Sequence, residues 1–368
     1  MRLPVSSLLC VCCLNLVVAG GAAQTPTAAP QSTPATQSTG PADPKAKKTY
    51  DDAFKLLNGH QAIFALDGFR KADKQDGGHC IPCEFQAWKV AVEVRDFKAA
   101  REESEAIFAH VTNPADKAKA QVMLGRACLA EGIYGKHSEP LESADAAFQS
   151  ALQLQPGNAD CLYADGTALA YLKRDDAAKA RFAEFLKVAS QSDLDYARAQ
   201  RFAERPELAR ARMAPNFRIT TLDGTTLTLE SLSGKVVLID FWATWCGPCR
   251  EALPHIKKIA SGMRGQPLVV LSISLDKDDT KWRDFVGKNE MTWLQYRDGG
   301  FEGNIAKQFG VTAIPATFTI DADGVLEDQH VGDADIEGKL KKLVARAAEK
   351  SRSVPASETA VSVPAGSK

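Results

Sequence analysis

The sequence predicts an α-helical repeat domain followed by an α/β domain. Three observations carry this reading. Ala, Leu and Phe recur at helical spacing from about 45 to 212, and the pattern returns with a period near 34 residues. At Met213 the texture changes to short strands and buried apolar runs separated by helices. With 368 residues, 45% of them hydrophobic and 25% charged, the chain is long enough for two cores. Its formal net charge of −1 gives no electrostatic reason to expect nucleic acid as a partner.

Residues 1–23, MRLPVSSLLCVCCLNLVVAGGAA, combine Arg2, an apolar run and small residues, the pattern of a secretory signal peptide. The run from Leu8 to Ala19 is short for a membrane span, so cleavage after Ala23 is expected, with an uncleaved anchor as the alternative. The mature chain is then expected to be periplasmic or otherwise extracytoplasmic, where disulfides persist. Six cysteines remain after cleavage: Cys80, Cys83, Cys128, Cys161, Cys246 and Cys249. Residues 24–44 are rich in Pro, Thr, Ser and Ala without apolar periodicity and read as a disordered tether; residues 349–368 read as a disordered tail.

Within 45–212, the triplet Ala144, Phe148, Ala151 is echoed by Ala178, Phe182, Phe185, by Ala100, Ser104, Ile107 and by Ala65, Phe69, Ala72. One shift is longer than the others, which places an insertion around GIYGKHSEP (132–140). Small residues let paired helices approach, and Phe fills the next groove. With Gly125 and Gly166 in first helices and Pro114 and Pro156 after second ones, the region resembles the tetratricopeptide repeat. That resemblance implies a groove for a protein or peptide ligand. Residues 194–212, with five Arg, read as a capping helix with a solvated face.

Residues 213–348 carry the chemistry. KVVLIDFW (235–242) suits a buried central strand, and PLVVLSISL (267–275) a second one. Helices are expected near 279–288 and at 334–348, giving a mixed sheet covered on both faces. The first strand feeds WCGPCREALP, a tight turn that continues as a helix. Cys246 therefore faces the positive end of a helix dipole, which favours its thiolate. Cys249 lies one turn on and can close a disulfide with it. Pro248 fits the first helical turn, and Trp245 shields the sulfur on one side.

VLIDFWATWCGPC, Pro254 and VTAIPATFTID together resemble thioredoxin, and the region from Ala214 to about Ala347 is similar to its TlpA-like branch of extracytoplasmic thiol-disulfide oxidoreductases. The resemblance implies that Cys246 attacks a substrate protein disulfide and that Cys249 resolves the mixed disulfide. It also implies a cis-proline at Pro315 after Ile314, a buried proton-handling acid at Asp240, and substrate contacts at Trp245, Gly247, Pro248 and Ile314. The expected direction is reduction, with electrons from a membrane thiol donor. No cofactor or metal is expected, since the six His show no ligand spacing. Two positions depart from the pattern. Ala252 stands where many TlpA-like proteins carry Glu, and Ser272 stands where thioredoxin has the Lys beside its buried acid. Two alternatives stand beside this one: peroxide reduction, whose Pro-Thr-Cys pattern FWATWC does not match, and a non-catalytic binding protein.

Cys128 and Cys161 fall on inward helix positions and read as buried apolar residues, and His255 reads as exposed. Cys80 and Cys83, in GGHCIPCEFQAW, straddle the start of a first repeat helix. No buried strand leads into this pair. A structural disulfide is the first reading, though its short loop gives only about 2 kcal/mol. An auxiliary redox pair is the second.

Overall fold

A repeat unit too small to hold a core must bury its apolar face against its neighbours, and residues 44–204 fold as a string of such units. A computed structural model describes residues 40–332 and 336–353. The expected signal peptide, the expected tether as far as residue 39 and the expected tail from residue 354 lie outside the described residues. Residues up to Arg210 and residues from Ala211 onward form two compact units.

The first unit contains, among the described residues, α1 (Pro44–Asn58), α2 (Ala62–Gln75), α3 (Ile81–Glu93), α4 (Phe97–His110), α5 (Pro114–Gly135), α6 (Ser138–Leu154), α7 (Ala159–Tyr171), α8 (Asp175–Val188) and α9 (Tyr196–Glu204). Each helix packs on the next. The twelve residues of the recurring triplets lie on α2, α4, α6 and α8, and none is more than 5% exposed. A Cβ on Gly125 would meet the Phe148 ring at 2.5 Å, and one on Gly166 would meet Phe182 at 2.9 Å. Glycine on the first helix thus makes room for phenylalanine on the second.

Each helix pair turns through a non-glycine residue with positive φ: His60, Arg95, Lys136 and Lys173. Each first helix starts on a side chain that accepts from its own first turn: Asp43, Cys80, Asn113 and Asn158. The long shift between repeats is taken up by the 22 residues of α5, so much of the expected insertion is helix rather than loop. The Arg-rich segment is α9 followed by a short 3-10 turn, and it is not a uniformly solvated face. Arg198 is buried, and Arg210 pairs with Asp175 and donates to Ala170 O.

The second unit opens with a hairpin of β1 (Arg218–Thr220) and β2 (Thr226–Thr228). Then follow β3 (Val236–Trp242), α10 (Gly247–Gly262), β4 (Leu268–Ser274), α11 (Asp279–Lys288), β5 (Leu294–Arg297), α12 (Asn304–Gln308), β6 (Ala316–Ile320), β7 (Leu326–Val331) and α13 (Glu337–Ser353). The sheet order is β5-β4-β3-β6-β7, with β3, β4 and β5 parallel and β6 and β7 antiparallel. Alternate residues of a strand face opposite sides. Val236 and Leu238 of β3 pack with Ile256 and Ile259 of α10 and Leu340 and Leu343 of α13. Val237, Ile239 and Phe241 join the core of α11 and α12 on the other side.

Two elements differ from expectation. β5 follows the helix expected near 279–288 and was not expected, because LQYR buries Gln295 and so breaks the apolar alternation that marks a strand. The last helix runs to Ser353, five residues past 348. Its buried face ends at Ala347, and the exposed residues beyond simply continue the helix.

Candidate active site

Central strand β3 ends at Trp242, and the next four residues turn the chain into α10. Thr244 holds this turn. Its N–H and hydroxyl both donate to the Asp276 carboxylate, at 2.9 and 2.6 Å, and Ser274 donates to the same carboxylate at 2.6 Å. Asp276 is buried at the end of β4. The sequence does not single out Thr244 or Asp276, because a pair 32 residues apart, just past the ends of neighbouring strands, leaves no local signal.

Cys246 caps α10. The Cys249 N–H donates to Cys246 Sγ at 3.2 Å, and the two residues are joined in a disulfide with Cα atoms 5.3 Å apart. Pro248 occupies the first turn, where no N–H is needed. The first four N–H groups of a helix lack intrahelical acceptors. Sulfur at this position, once reduced, therefore carries negative charge favourably.

Around the disulfide, Trp245 is 59% exposed and Pro248 is exposed, while Gly247 is half-buried with open space where a Cβ would be. Ile314 is half-buried and packs against the core cluster that contains Cys246, Cys249 and Ala316. The Ile314–Pro315 peptide is cis, and Pro315 O accepts from the Gly332 N–H at 2.8 Å. An apolar rim thus stands beside a disulfide whose cysteines are themselves nearly covered.

Asp240 lies on β3 in the alternation of Val236 and Leu238, the face that α10 covers. It is buried, and desolvation raises its carboxyl from the ordinary 3.8 to about 7, with the Ser272 hydroxyl pulling weakly the other way. Ser272 Oγ donates to Asp240 Oδ2 at 3.2 Å and accepts from Trp293 Nε1 at 2.8 Å. Ser272 is thus a neutral partner that adds no opposing charge, so the carboxyl exchanges its proton near neutral pH. Glu251 is exposed and Ala252 half-buried, so α10 places no second acid in the core at these positions. His255 is half-buried rather than exposed.

Cys80 and Cys83 belong to the other unit and form a disulfide of their own. Cys128 and Cys161 are free and buried. Burial pushes the Cys161 thiol up to about 12, which makes it a poor nucleophile. Among the described residues no group of three or more His, Cys, Asp or Glu could hold a metal ion, and no helix is long and apolar enough to cross a membrane.

Comparison with known proteins agrees with this chemistry. The Redoxin family matches residues 209–345. The chain is 30% identical to the thiol-disulfide oxidoreductase ResA of Bacillus thuringiensis over 145 residues, 39% of this chain and 83% of that protein. It is 34% identical to the thiol:disulfide interchange protein DsbE of Pseudomonas fluorescens over 135 residues, 36% of this chain and 72% of that one. A solved thiol-disulfide oxidoreductase from Bacteroides fragilis covers 36% of this chain and 98% of its own at 28% identity, with a TM-score of 0.34. Through its C-terminal unit, the chain belongs to the ResA- and DsbE-type thiol-disulfide oxidoreductases.

Proposed function

We propose that the protein reduces disulfides in protein substrates outside the cytoplasm, using Cys246 and Cys249. The observation that carries this reading is the disulfide at the start of α10, flanked by exposed Trp245 and preceded by a strand that holds buried Asp240. In the reduced enzyme the Cys246 thiolate attacks one sulfur of a substrate disulfide. A mixed disulfide forms and the other substrate sulfur leaves as thiolate. Asp240, acting as base, takes the proton from the Cys249 thiol. Cys249 then attacks Cys246 Sγ, the mixed disulfide breaks, and the substrate departs reduced by two electrons while Cys246–Cys249 is oxidised. A thiol donor at the membrane restores the dithiol. Trp245, Gly247, Pro248, Ile314 and the backbone at Pro315 form the surface that receives the substrate strand.

The helical unit, read as a tetratricopeptide-like array over 45–212, binds a protein or peptide partner and brings it to the redox unit. Its support is the fourfold recurrence of buried triplets, side-chain caps and turn residues. Secretion follows from the sequence of residues 1–23. The test is trapping with Cys249→Ser in the full chain: substrates should accumulate as species linked to Cys246 that thiol releases. Absence of linked species, with Cys246 still open to alkylation, would sink the reading. Peroxide reduction is separated by the same variant, since a peroxidase would turn its Cys246 into sulfenic acid with peroxide alone.

A further inference from the structure

We propose that Cys80–Cys83 is a second exchangeable dithiol/disulfide centre, served by the buried Glu84–His110 pair and reacting with dithiol donors independently of Cys246 and Cys249. Its local geometry repeats that of the first centre. Cys80 caps α3, Pro82 sits in the first turn, and the Cys83 N–H donates to Cys80 Sγ at 3.3 Å. The Cα atoms are 5.2 Å apart. Cys80 is 4% exposed against 5% for Cys246, so the two outer sulfurs are covered alike.

The repeat itself supplies a control. The three other first helices start on Asp43, Asn113 and Asn158, oxygen caps that are strongly preferred at this position. Those helices stack without a disulfide at their start. Capping and stacking therefore give no reason for two cysteines here, and a loop this short gains little from being closed.

What sets this start apart is a buried acid paired with a histidine; the buried acid of α7, Asp165, is paired with Arg181 at 2.6 Å instead. Glu84 follows Cys83 directly and is 2% exposed. Its Oε1 is 2.7 Å from His110 Nδ1, while its Oε2 is buried without a partner. His110 stands edge-on to His79, the residue before Cys80, with ring centroids 6.2 Å apart. From α2, Asp73 accepts the Cys80 N–H at 2.8 Å. From α4, Glu103 adds a carboxylate that Arg70 of α2 binds at 2.7 Å. Burial pushes the Glu84 carboxyl up, His110 partly offsets this, and Asp73 and Glu103 add to the rise. A buried acid whose carboxyl is raised to about 7 thus directly follows the pair in the chain.

The step balances as thiol exchange. A donor thiolate attacks Cys80 Sγ, the Cys80–Cys83 bond breaks, and a donor–Cys80 disulfide forms. Cys83 leaves as thiolate and takes up the proton that Glu84 holds. The donor's second thiolate then attacks the donor sulfur of the mixed disulfide. Cys80 is released as thiolate, favoured by the start of α3, and the donor is oxidised by two electrons.

The test equilibrates the full native chain in graded mixtures of reduced and oxidised dithiothreitol, alkylates it and maps both pairs by peptide mass. Cys80–Cys83 should be half-reduced at a buffer ratio within about tenfold of that for Cys246–Cys249, with helix content unchanged. Resistance at ratios a hundredfold higher, or reduction only as the helices melt, would make the pair a staple and overturn the proposal. Failure of Cys246–Cys249 to reduce would instead count against the proposed function, so the two outcomes are separable. In the second arm, Glu84→Gln should slow reduction of Cys80–Cys83 about tenfold at pH 6, with the effect vanishing by pH 9. Reduction of Cys246–Cys249 should not change. An equal slowing at every pH would mean that Glu84 is only structural.

Discussion

Helices α3 and α10 both begin Cys-x-Pro-Cys, both use the first sulfur as cap, and both close a disulfide across their first turn. Their approaches differ. The chain reaches α10 from a strand buried along its whole length, through a turn clamped by Thr244 and Asp276, and leaves Trp245 in solvent. It reaches α3 through the short Gly77–Gly78 turn, where both glycines have positive φ, and α3 then stacks between α2 and α4. A helix start is therefore enough to set the geometry of a CxxC disulfide. Access for a protein substrate has to come from the scaffold, and the sheet unit exposes more apolar surface beside its pair, with Trp245 59% exposed against 38% for Ile81.

The comparison is sharpened most by replacing the acid on the sheet side. Asp240→Asn should slow turnover at pH 7–8 by about 10²-fold, the usual worth of a positioned general base. Cys246 alkylation should stay near native, which the same sample reports. Asp240 also links folding to pH. Its folded value of about 7 lies above the ordinary 3.8, so between those values the native state holds a proton that the unfolded chain has lost. The associated stability is fully present below pH 4 and is lost as pH rises through 7, on the order of 3–4 kcal/mol for this buried group. Urea titrations of the native chain and Asp240→Asn across pH 4–8 should show the variant with the flatter profile.

On the helical side, substitutions should move stability and leave the rate of Cys246 chemistry alone. Gly166→Ala puts a methyl group 2.9 Å from the Phe182 ring, and overpacking of this kind costs about 1–3 kcal/mol. The smallest effect has the opposite sign. Lys173 is exposed with φ of 59°, so Lys173→Gly should stabilise by about 0.5–1 kcal/mol, read as a rise in Tm. A loss of stability there would mean that the turn is held by the lysine side chain.

Much of this division was legible in the sequence, because its signals are local. The 34-residue recurrence located the residues that fill the helical core, and KVVLIDFW followed by CGPC located the strand, the turn and the disulfide. What escaped was long-range. Asp276 reaches Thr244 across 32 positions, His110 reaches Glu84 across 26, and Trp293 supports Ser272 across 21. None of these pairs has a spacing that a helix or strand period would reveal. β5 escaped for a related reason: its buried Gln295 is a residue that local patterning assigns to solvent.

The most direct test compares Cys246→Ser with Cys80→Ser, each as the full chain, in reduction of insulin disulfides by dithiothreitol at pH 7. Loss of the attacking sulfur should lower the rate in Cys246→Ser by on the order of 10³-fold or to the uncatalysed level, while Cys80→Ser stays within about twofold of native. Full activity in Cys246→Ser, or a collapse confined to Cys80→Ser, would contradict the assignment of substrate reduction to the pair at the start of α10.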